Sequence, residues 1–186
     1  MEKERIRREL LRKRINLSEE ERLRLSQKIV ENLRSLPEYR QAKKVLLYCP
    51  IKGEPDLTPL FEEVIGEKEL ILPKVNGEEL KLYKVETPSC LSVGAFGILE
   101  PAKGKEVSPQ ELDFVAVPGI AFDLRGYRLG FGKGFYDRLL KKTRAKKVGV
   151  AYSFQVLERI PNDAWDVPVD IILTEKFIRR LRNGVN

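Results

Sequence analysis

The sequence predicts an α/β fold: a three-layer sandwich, Rossmann-like, with a largely parallel central sheet and helices on both faces. Three observations predict it. Short, mainly apolar runs, such as Val45–Cys49 and Asp113–Val117, read as strands buried on both faces. The segments between several of them carry helical periodicity. Strands and helices alternate along the chain, which is the order of a parallel sheet with helical crossovers.

Taken in order, residues 2 to about 15 are rich in Arg, Glu, Leu and Lys and lack Pro and Gly, so they predict a helix. Ser18 with Glu21 three residues on forms a capping-box pattern. The helix it opens is expected to run to about Leu36, because Leu25, Ile29, Leu33 and Leu36 share a face and Pro37 follows. Val45–Cys49 is the first strand, Pro50–Pro55 a loop, and Leu57 to Val64 a helix ended by Gly66. Leu70–Pro73 is the second strand. Leu80–Val85 alternates apolar and charged residues, the pattern of a half-exposed strand. Residues 86–111 read as a long irregular connection. Asp113–Val117, Lys147–Tyr152 and Asp170–Thr174 are further strands, and a short C-terminal helix is expected after the last.

The 186 residues, 42% of them hydrophobic, suit one domain spanning 1–186 with a sizeable core. Two cysteines, Cys49 and Cys90, and no histidine give no basis for a disulfide framework or a zinc cluster. The charged start, MEKERIRREL, lacks the apolar stretch of a signal peptide, and no run nears the ~18 apolar residues of a membrane span. The expected location is cytoplasmic. Without an imidazole that titrates near neutrality, triad hydrolysis is disfavoured. Phosphoryl transfer, driven by positioning and charge neutralisation, needs none. Residues 1–44 hold 14 Lys/Arg against 8 Asp/Glu, six of the chain's seven net positive charges. Trp165 is expected to pack rather than to stack on a ligand.

Five of the 13 glycines fall between 119 and 134, in a segment that joins an apolar strand to a helix expected over about Lys133–Leu140. Such glycines let backbone N–H groups turn toward phosphate oxygens, and ligands of open α/β sheets bind at the carboxyl ends of strands. Gly130, Gly132 and Gly134 fit neither the Walker A loop nor the dinucleotide fingerprint. Arg128 and Lys133 could neutralise a triphosphate, and Asp137 could hold Mg²⁺ against it. On these residues alone, another nucleotide-binding α/β enzyme such as a kinase remains open. So does a basic nucleic-acid-binding module, although no recognised motif of that kind is present.

The segment Val117-Pro118-Gly119-Ile120-Ala121-Phe122-Asp123, followed by Arg128-Leu129-Gly130-Phe131-Gly132-Lys133-Gly134-Phe135-Tyr136-Asp137-Arg138, resembles the 5-formyltetrahydrofolate cyclo-ligase family. The likeness extends to the basic N-terminal helix, Gly53–Asp56, Gly149–Gln155 and Asp166–Asp170. The resemblance implies ATP-dependent closure of 5-formyltetrahydrofolate to 5,10-methenyltetrahydrofolate, with Mg²⁺ as cofactor and ADP and phosphate as products. It implies two small-molecule substrates, no nucleic acid, no membrane and a monomer. It assigns ATP binding to Lys3, Arg7 and the run Arg128, Leu129, Gly130, Phe131, Gly132, Lys133, Gly134, Phe135, Tyr136. Folate would touch Cys49, Glu54 and Phe131–Phe135, with Glu54 pairing to the pterin N–H donors. Arg128, Lys133 and Tyr136 would be catalytic, and Asp137 and Asp170 would be the metal ligands. Ser153 and Cys49 depart from the family pattern, which is often acidic at the first position and aliphatic at the second.

Overall fold

The apolar runs become the centre of an eight-stranded sheet in the computed structural model, whose description covers residues 2–87, 91–93, 99–101 and 104–181. Cys90 lies outside the described residues. The strands of the large sheet are β1 (Lys44–Leu46), β2 (Glu69–Asn76), β3 (Glu79–Val85), β6 (Lys105–Val107), β7 (Phe114–Val117), β10 (Lys146–Val150), β12 (Ile171–Leu173) and β13 (Ile178–Arg180). A small sheet joins β8 (Ala121–Asp123), β9 (Arg128–Leu129) and β11 (Val156–Leu157), and β4 (Leu91–Val93) pairs with β5 (Leu99–Pro101).

The large sheet runs β13-β12-β10-β7-β1-β2-β3-β6. Its middle five strands, β12 to β2, are parallel, and antiparallel strands extend both edges. Numbered among themselves, the parallel strands follow the doubly wound order 2-1-3-4-5. The winding reverses between β1 and β7, so the carboxyl ends of these two strands flank the crevice where such sheets bind ligands.

Alternation explains the burial. Val45 and Leu47 face one core, together with Phe114 and Ala116, while Leu46 faces the other with Val115 and Val117. The register sets Leu46 beside both Ile71 and Val115. Leu46→Ala would open a cavity there and cost roughly 2–5 kcal/mol. The first core is covered by α2 (Glu19–Arg34), α3 (Pro37–Gln41) and α4 (Phe61–Glu67), and the second by α5 (Phe135–Leu140). Helix α1 (Glu2–Ile15) lies over the small sheet, where Ile6 and Leu10 meet Ile120, Ala121 and Leu129. Ser18 caps α2 by accepting the Glu21 N–H at 3.1 Å.

Four expectations change. The segment after β12 forms β13, not a helix: the Thr174 hydroxyl oxygen accepts the N–H groups of Lys176 and Phe177, a tight turn that folds the chain back onto β12. Gly66 lies inside α4 instead of ending it. Within 86–111, Lys105–Val107 joins the sheet as an edge strand on β3. Trp165 is 66% exposed and does not pack. Among the described residues, no helix is long and apolar enough to cross a membrane.

Candidate active site

The glycine-rich stretch is not one loop. After β7, residues 121–129 form the β8–β9 hairpin, so the free loop is only 130–134. Buried Asp123 closes the hairpin: its carboxylate accepts the backbone N–H groups of Arg125, Tyr127 and Ile160 and the Arg125 guanidinium. This rigid base aims Arg128 back at the β7 exit, where Nε donates to the Pro118 carbonyl at 2.9 Å. Arg128 Nη1 reaches Asp137 Oδ1 at 3.4 Å, and its guanidinium lies 5.4 Å from the Tyr136 ring centre.

The loop itself is shaped by Gly132 and Gly134, with φ of +96° and +73°. Gly134 leads into α5, whose first turn carries Asp137. Arg7 of α1 donates Nε to the Gly130 carbonyl at 2.7 Å and so fastens the loop to the N-terminal helix. Phe131, Gly132 and Lys133 are exposed at its tip, free to meet a ligand, whereas Leu129 is buried and Phe135 sits under the Arg138 guanidinium.

Facing this loop across the crevice is the segment that leaves β1. Lys52 sits with its ammonium 4.9 Å from the Phe131 ring centre, so the two loops touch. Behind Lys52 is Glu54, 4% exposed, with Oε1 accepting the Ile51 N–H at 3.0 Å. Burial pushes the Glu54 carboxyl up to about 7, opposed by the charge of Arg14, then by the Ile51 N–H and Arg128. The Tyr48 hydroxyl donates to the Pro55 carbonyl and the Tyr152 hydroxyl to the Gly53 carbonyl, holding the loop from below. Burial moves both phenols upward, Tyr152 to about 12. Cys49 packs against the first core, close enough to Tyr136 to act on it electrostatically.

The structure therefore brings together Arg7, the 128–137 run, Cys49 and Glu54. Lys3, one turn before Arg7 on the same face of α1, pairs with Asp163 at 3.6 Å. One candidate lies apart. Asp170 precedes β12, at the amino end of the parallel sheet, where its Oδ2 accepts the Lys147 N–H at 2.9 Å. Asp137 belongs to the opposite, carboxyl end, so the topology separates the two carboxylates. No group of three His, Cys, Asp or Glu side chains among the described residues is placed to hold a metal unaided. At Ser153, the N–H and hydroxyl both bond Glu175, which brings a carboxylate to that position from elsewhere in the chain.

Sequence reasoning missed Arg14, Lys52 and Gln155. The signal for Arg14 was present: with Ile6 and Leu10 it continues the buried stripe of α1 at a spacing of four. Gln155 donates to the carbonyls of Gly119 and Ile120 and so fixes the β7 exit.

A family model described as 5-formyltetrahydrofolate cyclo-ligase matches residues 1–175. The 5-formyltetrahydrofolate cyclo-ligase of Haemophilus influenzae is 35% identical, over 92% of this chain and 96% of that one. That of Mycoplasma pneumoniae is 34% identical, over 95% and 100%. The solution structure of Aquifex aeolicus 5,10-methenyltetrahydrofolate synthetase superposes with a TM-score of 0.91 at 67% identity, covering 100% of this chain and 96% of that one. The 5,10-methenyltetrahydrofolate synthetase from Mycoplasma pneumoniae gives 0.78 at 32% identity, covering 94% and 99%.

Proposed function

Because the chain belongs to the 5-formyltetrahydrofolate cyclo-ligase family, we propose that it closes 5-formyltetrahydrofolate to 5,10-methenyltetrahydrofolate as ATP is converted to ADP and phosphate. It is an enzyme of that family. The observation that carries the ATP-coupled reading is the contact between the two loops at the switch point: a phosphate-type glycine loop meets the loop of a buried carboxylate through Lys52 and Phe131. One loop suits a triphosphate, the other a ring rich in N–H donors, and their contact brings the two ligands within reach of each other.

In the reaction, the formyl oxygen attacks the γ-phosphorus and the bond to the β-phosphate oxygen breaks, so ADP leaves. The neighbouring folate nitrogen then attacks the formyl carbon and gives up its proton. The carbon–oxygen bond breaks last, and the oxygen departs with phosphate. The protein's part is alignment and charge. Arg128 and Lys133, with the loop N–H groups, take up the charge spread over the transferred phosphoryl oxygens. Arg7 keeps the loop in place. Glu54, as a carboxylate, accepts pterin N–H bonds and fixes the ring. Tyr136, whose ring centre lies 5.4 Å from the Arg128 guanidinium, backs that cation against the loop. Both substrates are small molecules, and the reading calls for no second copy, nucleic acid or membrane.

Asp137 is the residue that would hold magnesium. The ion keeps several waters and takes one or two carboxylates plus substrate phosphates, so a single carboxylate beside the loop fits. Bound with ATP, it would neutralise charge on the β- and γ-phosphates.

The test is direct. Protein, Mg-ATP and 5-formyltetrahydrofolate are mixed, and the near-ultraviolet absorbance of methenyltetrahydrofolate is followed together with phosphate release. The expected result is an ATP-dependent rise matched mole for mole by phosphate. ATP turnover with another acceptor, and no absorbance rise, would instead mark an ordinary kinase.

A further inference from the structure

Arg14 is 1% exposed and packs against Gly53, the residue before Glu54, which is itself 4% exposed. An enclosed cation is costly unless its donors and its charge are both used. Its Nε donates to the Lys52 carbonyl at 2.9 Å and its Nη1 to the Gly119 carbonyl at 3.2 Å. Those carbonyls belong to the loops that leave β1 and β7, the strands flanking the crevice. Gly53, at φ +79°, is pressed so close that a Cβ there would lie 3.0 Å from the Arg14 carbonyl oxygen. One side chain from α1 thus ties the carboxylate loop to the strand exit that feeds the glycine loop.

The remaining nitrogen is the informative one. Among the described residues, Arg14 Nη2 is the buried side-chain nitrogen or oxygen without a hydrogen-bond partner. A fold that only needed two carbonyls tied could use a shorter or neutral donor. Burial pulls the Arg14 guanidinium below its usual value, and the foremost group opposing that is Glu54. The groups acting with Glu54 are Arg14 from α1, Tyr48 after β1, Arg128 from β9 and Tyr136 from α5, while Tyr152 after β10 holds the neighbouring Gly53 carbonyl. Two of them are cations. Arg128 is engaged with Asp137 and Pro118, whereas among the described residues Arg14 has no acid within ion-pair distance, and Glu54 is the foremost one acting on it from farther off.

We propose that Arg14 is a positioning residue of the reaction: from α1 it ties the Glu54 loop to the β7 exit and turns its charge toward the Glu54 carboxyl. The substrate ring is then read by an acceptor whose place is set, and whose charge is favoured, from α1. This rests on the reading of Glu54 as the folate-recognising group.

Two measurements test it. The first is the titration of the Glu54 carboxyl carbon by NMR in the ligand-free protein, for wild type, Arg14→Lys and Arg14→Gln. The midpoint is expected to move to higher pH in Arg14→Gln and to stay in place in Arg14→Lys. The second is the folate KM against pH. At pH 6.5 it should rise roughly tenfold in Arg14→Gln, the effect of losing a nearby opposite charge, and at pH 9 the excess should shrink to the part owed to the lost tie between the loops. The KM for ATP should stay nearly constant. In a Glu54→Gln background, Arg14→Gln should add no pH-dependent change. A folded Arg14→Gln protein with an unmoved Glu54 midpoint overturns the proposal. If that variant does not fold, Arg14→Lys decides: a retained midpoint with a raised folate KM supports it, and a midpoint displaced to higher pH overturns it. Absence of cyclisation in the wild type would sink the proposed reaction, and the NMR comparison would still judge Arg14.

Discussion

Arg7 Nε donates to the Gly130 carbonyl at 2.7 Å, a bond that spans 123 positions of sequence and joins the N-terminal helix to the glycine loop. A charged donor on a backbone carbonyl stabilises by about 1.5–3 kcal/mol. Arg7 is 20% exposed, so the lower end applies. Arg7→Ala is expected to raise the KM for ATP about tenfold and to leave the KM for folate nearly unchanged. Steady-state kinetics with each substrate varied in turn checks this. Equal rises in both constants would mean that Arg7 supports the whole fold and not the loop.

Gly134 holds φ +73° at the start of α5, and a Cβ there would meet Arg138 Nη1 at 2.7 Å. The arginine tip can swing aside, but left-handed backbone costs a side-chain-bearing residue roughly 1–2 kcal/mol. Gly134→Ala should lose about that much stability and weaken ATP binding. Gly66 is the control: it is helical and a Cβ there would meet nothing within 4 Å. Gly66→Ala should gain roughly 0.5–1 kcal/mol. Urea titration of both variants reads the contrast, and loss of stability in both would contradict it.

Those two glycines also show where the sequence spoke and where it was silent. The five parallel strands, α1, the Ser18 cap and the glycine loop ahead of α5 were legible because each leaves a local signal: an apolar run, a helical stripe, a capping pair, clustered glycines. The β8–β9 hairpin was hidden within that glycine stretch, because its two strands are only three and two residues long. Arg14 escaped notice because its partner Gly119 lies 105 positions away, and an arginine on a basic helix reads as solvated. The C-terminal segment, rich in Lys and Arg, favours a helix by propensity. The Thr174 turn and pairing with β12 override that preference.

Glu54 links function to a stability cost. Its carboxyl is raised from 4.5 to about 7, chiefly by burial. Between those values the folded protein keeps a proton that the unfolded chain has released. Stability therefore falls as pH rises through that window and levels off above it. The displacement corresponds to about 3 kcal/mol. Glu54→Gln has no charge to bury, so it should be more stable than wild type at pH 8 by up to about 3 kcal/mol and equal to it near pH 4. It should also raise the folate KM. Denaturation at both pH values, with folate kinetics, tests this. A variant no more stable at pH 8 would show that the buried charge is fully compensated.

Asp137 and Asp170 separate by what their oxygens do. Asp170 Oδ2 takes the Lys147 N–H at 2.9 Å and braces the start of β12, just as Asp113 Oδ2 takes the N–H groups of Lys43 and Lys44 beside β1. Removing such an acceptor costs about 1–3 kcal/mol. Asp137 is 38% exposed and makes one long bond, to Arg128 at 3.4 Å, so its removal costs the fold little. Asp170→Ala is expected to lower the melting temperature while the magnesium dependence of turnover stays as in wild type. Asp137→Asn should do the reverse, raising severalfold the magnesium concentration that supports half-maximal turnover. Turnover measured against magnesium for both variants, beside their melting curves, separates the roles. A shifted magnesium dependence in Asp170→Ala would require the amino end of β12 to approach the nucleotide during the reaction, against the parallel pairing of β10 with β12 that keeps Asp170 at the amino end of the parallel strands.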